Sequence, residues 1–147
     1  MFFRLTLTNF DRSWRVIDLV VVNASPLIFM ARGGHLDLLA KLAKRTIVPQ
    51  PVFTELQARG DTDRTVQALA RCKWLKIVSA PPIPADIQSW GLGLGESSVL
   101  AVAQQHPTGT VVMDDLAGRR CATSMGLPVL GTLGVVLKKR LSEKKTC

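Results

Sequence analysis

The sequence predicts an α/β fold in which a parallel sheet carries helices on both faces. Three observations carry this expectation. Short apolar runs rich in Val, Ile and Leu recur along the chain, and such runs read as buried strands. Nearly every run is followed by a segment whose apolar residues keep helical spacing, and strands that alternate with helices pair in parallel. Third, Asn23, Asp114 and Asp115 lie just beyond two of the runs, at the carboxyl ends of strands, where open parallel sheets bind their ligands.

Residues 1–18 form a mixed polar and aromatic leader with no clean period, set apart as an N-terminal extension. Residues 19–147 are expected to form a single domain with a basic tail. Leu19-Val20-Val21-Val22 has the character of a strand buried on both faces. It stops at Asn23-Ala24-Ser25-Pro26, where Ser25 is expected to cap a helix beginning on Pro26, since proline at the first helical position loses no needed donor. That helix runs through Met30 and ends before Gly33-Gly34. A second helix is expected over residues 35–44, with Leu36, Leu38, Leu39 and Leu42 inward. Thr46-Ile47-Val48 is a short strand closed by Pro49 and Pro51, and a helix carrying Val52, Phe53, Glu55 and Leu56 follows.

Residues 61–72 form the next expected helix. Trp74-Leu75-Lys76-Ile77-Val78 is the third strand, after which Pro81, Pro82 and Pro84 enforce a loop. Gly91-Leu92-Gly93-Leu94-Gly95 leads into a helix over residues 96–105. The fourth strand covers residues 110–113 and its helix residues 116–125, ending at Gly126. Pro128-Val129-Leu130 is a fifth, short strand, and Gly131-Thr132 opens the last helix. There is no internal repeat, linker or low-complexity segment.

The bulk properties narrow the class. A chain of 147 residues with 47% apolar content sustains one folded core. Its 19 Lys and Arg against 11 Asp and Glu give a net charge of +8, which favours a polyanionic partner such as nucleic acid. The tail concentrates this charge in Lys138, Lys139, Arg140, Lys144 and Lys145. Cys72, Cys121 and Cys147 are far apart, with no metal-type spacing, as in a reduced cytoplasmic protein. No stretch is long and apolar enough for a membrane span.

Acids gathered at element boundaries in so basic a chain suggest a hard-cation site. Mg²⁺ and Mn²⁺ take oxygen ligands, with one or two carboxylates plus waters and substrate phosphate. Asp114 and Asp115 follow a buried strand. One of them can cap the next helix, which leaves the other for a site. Arg119 and Arg120, one turn later, either neutralise the pair or hold a phosphate bidentately. Glu96, behind its glycine-rich approach, suits both a helix N-terminus and a site, and Glu55 lies on a helix between apolar neighbours. Asn23 and Ser25 offer neutral oxygens where the first strand turns. His35 and His106 read as exposed loop residues, and Trp14, Trp74 and Trp90 as packing residues.

Several segments together resemble one family. They are Val21-Val22-Asn23-Ala24-Ser25-Pro26-Leu27-Ile28, the stretch 48–56 around Glu55, Gly95-Glu96-Ser97-Ser98, the stretch 111–120 around Asp114-Asp115, and Gly126-Leu127-Pro128-Val129-Leu130-Gly131-Thr132-Leu133-Gly134. In this order they are similar to the PIN-domain nucleases, and within them to the VapC-like toxins of bacterial and archaeal toxin–antitoxin systems. The resemblance covers residues 19–140. It implies a three-layer α/β/α domain with a central parallel sheet of four to five strands. It also implies a Mg²⁺- or Mn²⁺-dependent endoribonuclease, a small antitoxin that occupies the site, and a homodimer.

The family's first acid falls on Asn23, its second on Glu55, its third on Glu96 and its fourth on Asp115. Asp114 stands as an alternative ligand, and Ser25 matches a hydroxyl that follows the first acid. The metal set is therefore Asn23, Glu96, Asp114 and Asp115, and the catalytic set Glu55, Glu96, Asp114 and Asp115. Ser25, Arg119 and Arg120 are the substrate-binding residues. Asn23 departs from the acidic pattern and removes one negative charge, so a catalytically weakened module that binds RNA or a partner is the alternative reading.

Overall fold

The computed structural model describes residues 17–146, with side chains through Leu141. The N-terminal extension and Trp14 thus lie outside the described residues, except that Ile17 and Asp18 already belong to the first strand. Five strands, β1 (Ile17–Val22), β2 (Ala43–Pro49), β3 (Leu75–Val78), β4 (Gly109–Val112) and β5 (Val129–Leu130), form one sheet in the order β3-β2-β1-β4-β5. Every pairing is parallel. The helices are α1 (Ala24–Arg32), α2 (Asp37–Leu42), α3 (Gln50–Gln57), α4 (Arg64–Ala70), α5 (Ala85–Gln88), α6 (Leu94–Gln104), α7 (Leu116–Ser124) and α8 (Thr132–Thr146).

β1 is the middle strand, and this explains its sequence. Leu19, Val20, Val21 and Val22 are fully buried, because neighbouring strands flank both sides and helices cover the faces. α3 and α6 pack on each other, and α6 also lies against β1, β2 and β4, while α2 packs on β2 and α8. This is the α/β/α arrangement with a five-stranded parallel sheet. Val99, Leu100 and Ala103 of α6 join Val111, Val112 and Met113 in the core.

The structure corrects several local expectations. Ser25 does not cap α1. Asn23 occupies the cap position, Ala24 is the first helical residue and Ser25 lies exposed inside the first turn. Pro26 is tolerated there because the first turn's N–H groups have no intrahelical partner. The second helix ends at Leu42 and passes directly into β2, since Ala43 pairs with Ile17 in the sheet. The proline-rich stretch after β3 holds a short helix, α5, with Pro84 at its cap position and Ile87 fully buried. His106 is half-buried, and its Nδ1 donates to the Val102 carbonyl at 2.9 Å.

Candidate active site

β1 and β4 end side by side. Val22 is in register with Val112, and the Asn23 N–H donates to the Val112 carbonyl at 3.0 Å. Asn23 therefore sits one residue beyond the two most central strands. An Asn at a cap position ordinarily turns its side chain onto the helix N–H groups. Here it makes no cap bond. The residue is 3% exposed, and Oδ1 is buried with no hydrogen-bond partner, a state that buried polar atoms rarely tolerate.

Gly95 shows where this oxygen is aimed. A Cβ at Gly95 would lie 3.5 Å from Asn23 Oδ1, 3.2 Å from Glu55 Oε2 and 3.7 Å from Val52 Cγ2. Two oxygens, one from the end of β1 and one from α3, thus flank a single point that the missing side chain leaves open. β2 delivers Glu55, because α3 starts at Gln50 immediately after β2 and Glu55 follows in its second turn. The carboxylate is exposed and makes no hydrogen bond or ion pair among the described residues.

Glu96 is the third residue of α6, half-buried in the first turn. Its carboxylate folds back over the helix start, so that a Cβ at Gly93 would meet Glu96 Oε2 at 2.7 Å. The helix dipole favours an acid in that place.

Asp114 and Asp115 have different partners. Asp115 caps α7, accepting the Gly118 N–H at 2.8 Å. Asp114 reaches the start of α8, where it accepts the Thr132 N–H at 2.8 Å and the Thr132 hydroxyl at 2.6 Å. Both aspartates therefore serve helix N-termini, whereas the expectation reserved capping for one of them. Among the described residues no three His, Cys, Asp or Glu side chains gather closely enough to hold a metal ion. The oxygen set that converges is one amide and one carboxylate. It fits a hard cation that keeps waters and takes substrate phosphate as its other ligands. An orphaned Oδ1 beside a space cleared by Gly95 is the feature that such a cation or its water would satisfy.

Residues 19–144 match the model of the family described as DUF3368: PIN domain. The chain belongs to this PIN-domain family. Solved structures share the fold of this PIN domain at low identity. "Crystal structure of PAE2754 from Pyrobaculum aerophilum" superposes with a TM-score of 0.58 at 17% identity, covering 86% of this chain and 91% of that one. "Structure of the PIN domain endonuclease Utp24" gives 0.54 at 16% identity, covering 77% and 84%. No curated protein matches the sequence.

Arg119 and Arg120 of this PIN domain do not neutralise the aspartate pair through an ion pair. Neither Arg119 nor Arg120 forms an ion pair with Asp114 or Asp115 among the described residues. Arg119 is half-buried and points toward Gly131, where a Cβ would meet its Nη1 at 2.6 Å and Asp114 Oδ1 at 2.9 Å. Arg119 and Arg120 line a cavity of about 350 Å³ with Thr123, Ser124 and Val129. Another cavity, of about 360 Å³, opens at the amino ends of the strands beside Asp18, Thr108 and Pro128. There the Thr108 hydroxyl hydrogen bond, with Arg45 nearby, holds the Asp18 carboxyl below its usual value.

Cys72 and Cys121 are free thiols whose pKa values burial raises, so neither is an activated nucleophile. No helix among the described residues is long and apolar enough to cross a membrane.

Sequence reasoning named Asn23, Glu55 and Glu96 but missed Gly95 and Thr132. The glycine-rich approach to α6 was a visible signal for the first. The partner of Asp114, far along the chain, had none.

Proposed function

We propose that this PIN domain is an endoribonuclease that hydrolyses RNA phosphodiester bonds with a bound Mg²⁺ or Mn²⁺, and that it acts as the toxin of a toxin–antitoxin pair. The observation that carries the hydrolytic reading is the unpartnered Asn23 oxygen facing Glu55 across the gap at Gly95. Asn23 and Glu55 would hold the ion. When bound, the cation supplies a lowered pKa for the attacking water and positive charge against the phosphoryl oxygens. Glu96, half-buried at the same edge, is the base available to take the water's proton, and Asp115 and Asp114 complete the acidic rim. Ser25, exposed in the turn after Asn23, donates its hydroxyl to the phosphate, and Arg119 and Arg120 position the strand.

The net charge of +8 supports an RNA substrate, and the fold shared with a protein described as a PIN domain endonuclease supports cleavage. The VapC-like branch, with a small antitoxin over the site and a homodimer, rests on the sequence segments given above.

Cleavage of a structured RNA with Mn²⁺ tests the reading. Glu55→Gln and Asp115→Asn are each expected to lose cleavage by about a hundredfold or more, while both keep the wild-type thermal transition, because Asn still caps α7. Rates equal to wild type remove the assignment. The neutral Asn23 and the lack of three converging acids among the described residues favour a second reading, a module that binds RNA without cutting it. Wild-type protein that binds RNA but leaves it intact with Mn²⁺ selects that reading.

A further inference from the structure

Beside the acidic site, the carboxyl edge holds another depression of about 440 Å³, walled by Gln50, Pro51, Thr54, Ser79, Ala80 and Leu94. Its walls continue those of the site. Thr54 precedes Glu55, Leu94 precedes Gly95, and Ser79 and Ala80 follow the end of β3. Pro51, Ala80 and Leu94 offer apolar surface. Leu94 is 66% exposed although it is the first residue of α6, where helix formation does not require a large apolar side chain. On the polar side, Gln50 Nε2 donates to the Thr54 hydroxyl oxygen at 3.2 Å. That bond orients the amide and leaves its Oε1 without a partner among the described residues. None of the six walls is charged.

An uncharged, open depression with aliphatic surface and one oriented amide suits a flat heteroaromatic ring with a polar edge. Aliphatic surface receives one ring face, and an amide pairs with the donor and acceptor atoms of the edge. A bare phosphate would find no cation here. In a single strand a base always adjoins the phosphate, so RNA laid over the acidic site brings a base to this depression. We infer that this depression seats a nucleobase next to the scissile phosphate and that Gln50 reads its edge. The inference rests on the nuclease reading.

The test uses the full chain and single-stranded hexaribonucleotides of A, C, G or U. Binding is read by fluorescence anisotropy without divalent ions, and cleavage separately with Mn²⁺. Wild type is expected to prefer one base by about tenfold. Gln50→Ala is expected to reduce that preference to about twofold. Leu94→Ala is expected to weaken all four about equally, with unchanged circular dichroism for both variants. A preference erased by Gln50→Ala supports the base site even if no RNA is cut, in which case the nuclease reading falls alone. Equal affinity for the four bases, or a preference that survives Gln50→Ala, overturns the base site. If RNA is still cut, the nuclease reading stands and Leu94 is left to a protein partner. Failure to bind any of the hexamers overturns the base site, and the nuclease reading falls with it if none is cut with Mn²⁺.

Discussion

The two ends of the acidic edge both present side-chain oxygens and use them differently. At Asp114 and Asp115 every carboxylate in view has a donor. Gly118 serves one, and the amide and hydroxyl of Thr132 serve the other. At Asn23 and Glu55 the oxygens face one gap and have no donor. Saturated carboxylates at helix starts contribute stability. A buried oxygen left unsatisfied costs stability, and the fold retains it here beside Gly95, where a Cβ would reach into the gap. The contrast separates carboxylates that also hold α7 and α8 in place from oxygens that the fold leaves without a donor.

Substitutions can break this division, and the largest expected effect is on the unsatisfied side. Asn23→Asp restores a negative charge beside Glu55. It is expected to raise Mn²⁺ affinity by about tenfold or more and to destabilise the metal-free protein by about 1–3 kcal/mol, since a buried carboxylate then lacks a partner. Calorimetry and thermal unfolding check the two signs, and a gain in both affinity and metal-free stability would contradict the account.

On the saturated side, Asp114→Ala strands the Thr132 amide and hydroxyl. It is expected to remove about 1–2 kcal/mol, or about 5 °C in thermal midpoint. Asp115→Ala removes a single part-buried cap bond and is expected to remove about 1 kcal/mol, with Asp115→Asn close to wild type.

The smallest effect is in acid. Asp63 caps α4. Burial raises its pKa, but the Thr65 and Val66 amides and Arg59 outweigh that and hold it below 3.8. A lowered native pKa means that the ionised form favours folding. The contribution is complete above the unfolded value and fades as pH falls through the native one. Asp63→Asn is therefore expected to flatten the acid limb of a stability–pH curve below about pH 4 and to leave the neutral limb unchanged in slope.

The sheet was legible because its signal is local. Leu19 to Val22, Ile47-Val48 and Val111-Val112 are apolar runs that must be buried on both faces, and their order with the helices dictates parallel pairing. Boundaries were less legible. Asp18 read as leader because it is charged, yet it stands at the sheet's end, where Thr108 and Arg45 reach it. Three prolines read as loop, yet Pro84 starts α5, because a missing N–H is harmless at a helix start.

In the site, strand-end position pointed to Asn23, Asp114 and Asp115, and residue type on the flanking helices to Glu55 and Glu96, without showing who pairs with whom. The Asp114–Thr132 bond joins residues far apart in sequence, and Asp114 and Asp115 look alike until that bond is seen. The emptiness at Gly95 depends on what α3 and β1 bring to it, which no local pattern encodes.

The central claim is that Asn23 and Glu55 together hold a divalent ion. Isothermal titration of Mn²⁺ into wild type, Glu55→Gln and Asp114→Asn tests it most directly. The account predicts a binding event that is present in wild type, lost in Glu55→Gln and kept in Asp114→Asn. Binding that survives in Glu55→Gln and disappears in Asp114→Asn would place the ion at the other end of the edge and contradict it.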